Sequence, residues 1–218
     1  MQDCNVGDHN AYTKMAFGWS TPYVVTGECT ITISAAESTG QCILVTDPNK
    51  PYNGNAFSEY LLLELLTPTG LWEQDATYSY PSLGQKTFTR AGVRMLHIDS
   101  RLVDHNNKFA DKTSNRSIYG LAYSNTPSQS YSKGSGGIYD DLIAFIPSSN
   151  SRNELQNSFD SSSTVTYQDL FNTGDTFNIS SYTNFFRNGK LHDGSTIPYI
   201  ITIDEVTSNS ATISFKVK

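Results

Sequence analysis

The stretch Ile197-Pro-Tyr-Ile-Ile-Thr-Ile-Asp-Glu-Val-Thr-Ser-Asn-Ser-Ala-Thr-Ile-Ser-Phe-Lys-Val217 decides the fold class. Ile197, Tyr199, Ile201 and Ile203 recur at every second position, so they share one face of an extended chain. Ile213, Phe215 and Val217 repeat the pattern, and the turn formers Thr207–Ser210 join the two runs. Working outward, Thr30, Thr32 and Ser34 alternate with Ile31 and Ile33 in a strand Cys29–Ser34, flanked by strands at Tyr23–Thr26 and Cys42–Thr46. Tyr60–Leu66 is apolar except for Glu64, which predicts a strand covered on both faces. Val93–Asp99 and Leu142–Ile146 complete the set. Many short strands predict a mainly β protein: a β-sandwich-like region preceded by one N-terminal helix.

That helix rests on Tyr12, Met15, Ala16 and Trp19, which fall on one helical face. Asp8 or Asn10 is the expected N-cap, and Gly18 and Pro22 end the helix. The expected division is a helical segment 1–20 and a β-rich region 21–218, with a subdivision possible near 148–163. Polar loops at Asp47–Asn55, Asn125–Gly137 and Ser148–Ser163 separate the strands, the last with room for a short helix at Asn153–Asn157.

Composition narrows the function classes. Of 218 residues, 17% are charged, against about 25% in an ordinary globular domain. Ser, Thr and Asn replace the missing charge, at 67 residues. Thirteen Tyr and eleven Phe supply a core and argue against disorder. A net charge of −6 argues against a nucleic-acid surface, which needs clustered cations to displace counterions. No apolar run approaches the roughly 20 residues of a membrane span. The composition is that of an extracellular or cell-surface protein, yet the polar opening residues Met1–Asn10 do not read as a signal peptide.

Chemistry-bearing patterns are sparse. His9, His97, His105 and His192 are scattered, and no H-E-x-x-H or G-x-S-x-G occurs, so no catalytic, cofactor or metal residue is assigned. Lys133 precedes Gly134–Gly137 in the wrong order for a phosphate loop. Asp47-Pro-Asn-Lys-Pro-Tyr-Asn-Gly54 fails the calcium-loop spacing and reads as a polar turn. His97 and Asp99 share a strand face; a metal pair is conceivable, but a satisfied histidine with Asp99 capping the next turn is favoured. Glu64 in its apolar run must be paired, with Arg94 or His97. Cys29 and Cys42 face each other if their strands form a hairpin about Ala35 and Ala36, which permits a disulfide; two buried free thiols are the other reading. Asn115 and Asn178 begin glycosylation sequons, and Trp72 offers a sugar-stacking ring, although scattered aromatics in a β protein are usually core.

Several stretches, taken in order, resemble the bacterial immune-inhibitor-A-type zinc metallopeptidases. They are Asn5-Val-Gly-Asp-His-Asn-Ala-Tyr12 with Lys14–Trp19 and Pro22, Glu59-Tyr-Leu-Leu-Leu-Glu64 with Thr67–Leu71, and Gly92-Val-Arg-Met-Leu-His-Ile-Asp99 with Arg101-Leu102. Leu170-Phe171, Gly174–Phe177, Gly189-Lys190 and Gly194 continue the likeness into a later sandwich region. The resemblance implies a region lying after the family's H-E-x-x-H helix, with Met1 and Asp3 near the turn beneath the metal. Zinc is then implied only for an upstream catalytic domain, with segment 1–20 its helical remnant. Asp8 and His9 take a structural role at the helix start. The expectation is a secreted, non-catalytic region that supports that domain or holds protein substrate. The alternative is a stand-alone extracellular module that binds glycan or protein, and a third is a relative that has lost its chemistry.

Overall fold

The computed structural model describes residues 8–77, 88–104, 119–121, 141–151 and 166–218. The expected helix at Asn153–Asn157, the sequon at Asn115, the Lys133–Gly137 loop and the Met1 and Asp3 positions lie outside them. The described residues are mainly β, in two principal sheets. Their strands are β1 Tyr23–Val25, β2 Cys29–Ser34, β3 Ile43–Val45, β4 Glu59–Leu66, β5 Gly92–Asp99, β6 Leu102–Asp104, β7 Tyr119–Leu121, β8 Ile143–Ile146, β9 Thr176–Phe177, β10 Tyr199–Val206 and β11 Ser210–Val217.

The five-stranded sheet runs β1-β3-β4-β5-β8 and the four-stranded sheet β2-β11-β10-β9; β6 and β7 form a separate ribbon. All pairs are antiparallel except β1 with β3. The β10–β11 hairpin forms as its alternation predicts, with Ile201 opposite Phe215 and a bulge between Ile203 and Glu205. Its turn closes through Thr207 N–H donating to the Ser210 carbonyl at 2.8 Å.

Strand alternation sorts the side chains into two layers. Leu61, Leu63, Leu65, Val93 and Met95 of the five-stranded sheet meet Ile201, Ile203, Ile213, Phe215 and Phe177 of the four-stranded sheet in the main core. On the opposite face of the five-stranded sheet, Leu44, Tyr60, Leu62, Leu96 and Ile98 pack with Ala11, Tyr12 and Met15. Those three belong to helix α1, Ala11–Ala16, which therefore covers the outer face. This double cover explains why every residue of β4 and β5 is buried. Asn10 caps α1 by accepting from Thr13 N–H at 2.9 Å, and Asp8 instead pairs with buried Lys14. The helix stops at Ala16, and Gly18 turns with a positive φ of 72°. Trp19 therefore leaves the helical face on which its spacing put it, and its side chain is exposed.

The expected Cys29/Cys42 hairpin does not form. A short helix α2, Ala36–Thr39, lies between the two strands. It carries β2 into the four-stranded sheet, opposite β11, and β3 into the five-stranded sheet, between β1 and β4. Cys29 pairs across to Phe215, and Cys42 is a free buried thiol beside Ser20, so the disulfide is corrected to two free cysteines. Burial pushes the Cys42 thiol up to about 11.

Candidate functional site

Position parity decides where the ionisable residues of β4 and β5 go. Even-numbered Glu64 and Arg94 lie directly opposite each other on the outer face. Glu64 Oε1 accepts from Arg94 Nε at 2.9 Å, and Arg94 Nη2 lies 2.7 Å from the same oxygen. Of the two partners expected for Glu64, Arg94 is the one present; His97 projects from the other face. The Arg94 guanidinium also sits 5.1 Å from the centre of the Trp72 ring. Trp72 is only 6% exposed, packed between that cation and Phe88, so it is no surface platform. A buried pair of this kind holds its place because removal of either partner strands a charge in the core.

Odd-numbered Glu59, His97 and Asp99 point inward, at one end of the space between the sheets. Glu59 and Asp99 face each other across the β4–β5 pair. His97 Nε2 lies 2.9 Å from Glu59 Oε1. The fourth member, His192, enters from a turn before β10. That turn is closed by Leu191 N–H to the Ser195 carbonyl at 3.0 Å and Gly194 N–H to the Leu191 carbonyl at 3.1 Å. Upstream, Gly189 has φ +64°, and a Cβ there would meet the Ser180 Cα at 2.9 Å. Only glycine brings the chain through at that point.

The turn anchors itself on Glu59. The carboxylate accepts from the His192 N–H at 2.6 Å and the Asp193 N–H at 2.9 Å. His192 Nδ1 lies 2.8 Å from Asp99 Oδ2, and the two imidazole rings meet edge to face at 4.8 Å. Arg101 grips Asp99 with two donors, Nε at 2.8 Å and Nη2 at 2.7 Å. Asp99 thus serves Arg101 and His192 instead of capping the following turn. Burial alone would push the Asp99 carboxyl up, but hydrogen bonds from Arg101 and His192 outweigh it and hold the group below the usual carboxylate range. At the rim, Lys50 and Asp193 pair at 2.6 Å.

The cluster is closed to solvent. Side-chain exposure is 1% for Glu59, 2% for His97 and 0% for Asp99, rising to 12% for His192. Among the described residues, Glu59, His97 and His192 are the group able to converge on a metal ion, with donor atoms within 4.8 Å of one another. Neither Glu59, His192 nor Arg101 was singled out from the sequence as a site residue. Asp99 and His192 are 93 positions apart, and only the sandwich brings them together.

The remaining candidates resolve simply. Asp47 accepts from the N–H and side-chain amide of Asn49 at 2.8 and 3.0 Å and from Thr196 N–H, as a polar turn does. Asn178 caps a short 3-10 helix, Ile179–Ser181. His9 meets the Trp19 ring edge-on at 5.5 Å, and Trp19 stacks on Phe17 at 4.9 Å. Phe17 and Trp19 are among the large apolar side chains left exposed, at 65% and 62%. No helix among the described residues is long and apolar enough to cross a membrane. Comparison of the chain with protein-family models, curated proteins and solved structures returned no match.

Proposed function

We propose that this chain is a non-catalytic β-sandwich region of a secreted, metallopeptidase-like bacterial protein, which supports a catalytic domain or holds protein substrate. The observation that carries this reading is the closure of the Glu59/His97/Asp99/His192 cluster. Hydrolysis needs a nucleophile or activated water within reach of substrate. Here the convergent acids and bases are spent on one another and sealed between two sheets. The family resemblance of Gly92–Asp99 and Glu59–Glu64 supports the same assignment, since both motifs turn out to be core strands.

The exposed Phe17/Trp19 stack supplies the contact surface in this reading. An aromatic pair left in water beside α1 is what a partner polypeptide covers. The glycan-binding alternative loses its chosen platform, because Trp72 is buried under Arg94.

Casein hydrolysis by the purified chain, with and without added zinc, tests the proposal. The expected result is no cleavage above a buffer blank in either condition. Cleavage that a chelator abolishes would overturn it.

A further inference from the structure

The geometry points to a structural zinc site formed by Glu59, His97 and His192, with Asp99 as the fourth ligand. The site rests on the same closed cluster as the functional reading above, and the tests below separate the two. The donor atoms of Glu59, His97 and His192 lie within 4.8 Å of one another, and Asp99 adjoins the group through His192. His97 Nε2 and Glu59 Oε1 are 2.9 Å apart, His192 Nδ1 and Glu59 Oε1 3.8 Å, and His192 Nδ1 and Asp99 Oδ2 2.8 Å. A tetrahedral zinc with bonds of about 2.0–2.2 Å sets its ligand atoms about 3.3–3.6 Å apart. Glu59, His97 and His192 therefore need only side-chain adjustments to converge on one ion, and Asp99 completes the set by turning an oxygen from His192 to the metal.

The ligand chemistry fits. Two imidazoles and two carboxylates suit a borderline first-row cation, and zinc accepts four such ligands without geometric preference of its own. The electrostatics fit as well. Glu59 and Asp99 are opposed on neighbouring strands with their side chains out of solvent, an arrangement that like charges resist. Arg101 offsets one of the two charges, and a divalent cation seated between the imidazoles and the carboxylates more than offsets the other.

The surroundings are built as metal sites are. Carboxylate ligands at such centres are themselves hydrogen-bonded, which fixes their orientation. Glu59 accepts from the Asp193 N–H, and Asp99 is clamped by the Arg101 fork. Phe186 packs edge-on against the His97 ring at 5.2 Å. Four protein ligands and burial leave no open position for substrate, which makes the metal a fastener. It ties the His192 turn, which leads into β10 of one sheet, to β4 and β5 of the other. Zinc takes His97 Nε2 and His192 Nδ1 as donors of neutral imidazoles, each ring keeping its one proton on the other nitrogen.

The test is zinc titration of the chelator-stripped full chain by calorimetry and metal analysis, with thermal unfolding followed alongside. The expected result is one zinc per chain and a rise in Tm. His192→Ala should weaken zinc binding at least about 100-fold, given that losing even an outer partner costs 10–100-fold. It should also remove the zinc-dependent Tm shift while leaving the far-UV circular dichroism of the folded chain unchanged. His9→Ala should bind as the parent does. Because His97→Ala empties a core position, His97→Gln gives the second readout: a folded variant with zinc binding reduced as in His192→Ala. No zinc binding by the folded parent, or equal binding by His192→Ala, would overturn the site. Zinc bound without proteolysis supports it; chelator-sensitive proteolysis would instead strike the functional proposal, leaving this site to the His192→Ala titration.

Discussion

The two principal sheets handle polarity in opposite ways. In the four-stranded sheet, β10 and β11 bury alternate residues, and the other face is a ladder of hydroxyls, with Thr30 bonded to Ser214 and Thr32 to Thr212, both at 3.0 Å. In the five-stranded sheet, β4 and β5 are buried throughout, and their polar residues are ionisable ones locked in pairs: Glu64 with Arg94, Glu59 with His97, Asp99 with His192 and Arg101. A one-sided sheet can leave its polar groups to water. A two-sided sheet must supply each with a partner, and those partners then tie strands, helix and turns together.

The largest break in this contrast should come from Glu64→Ala. It leaves the Arg94 charge in the core and frees the Ala11 N–H that Glu64 also accepts at 3.3 Å. Urea unfolding should show a loss of about 3–5 kcal/mol. The double variant Glu64→Leu/Arg94→Met should recover most of that loss if desolvated charge is the cause.

The cysteines sharpen the comparison, since each sheet region holds one. The Cys42 thiol is raised from 9.0 to about 11 by burial, so the folded state keeps its proton longer than the unfolded chain does. Its stabilisation is complete below about pH 9 and is lost as pH rises through about 11. The difference between parent and Cys42→Ala urea midpoints should trace this, spanning about 2–3 kcal/mol. Half-buried Cys29 should alkylate before buried Cys42 in the native protein.

Gly92→Ala comes next. A Cβ at the first residue of β5 would meet the Leu170 side chain at 2.6 Å. Overpacking of that kind should lower stability by about 1–3 kcal/mol in thermal unfolding. The smallest effect belongs to the hydroxyl ladder. Thr212→Ala removes a solvent-facing contact and should change stability by about 0.5 kcal/mol.

Much of the fold was legible because period two is a local property. Strands β2, β10 and β11 follow from alternating residues, and β4 from an apolar run that only Glu64 interrupts. Sheet membership was not legible. Cys29–Ser34 and Cys42–Thr46 read as one hairpin, yet Gly40 adopts a positive φ of 68° at the end of α2, and the two strands part into different sheets. Trp19 misled for a related reason: its spacing suits a helix that Gly18 has already ended. The Glu64–Arg94 pair was readable because a buried carboxylate demands a cation. Parity between β4 and β5 then selects Arg94 over His97. Glu59 and His192 were not readable, because their convergence depends on how the sheets stack, which no short stretch encodes.

The central claim is that the histidine–carboxylate cluster belongs to the closed core. Diethylpyrocarbonate treatment of the chelator-stripped native chain at neutral pH, read residue by residue by mass spectrometry, tests it most directly. The account predicts that His97 stays unmodified until the chain unfolds, while partly exposed His9 reacts. Modification of His97 in the folded protein at the rate of His9 would contradict it.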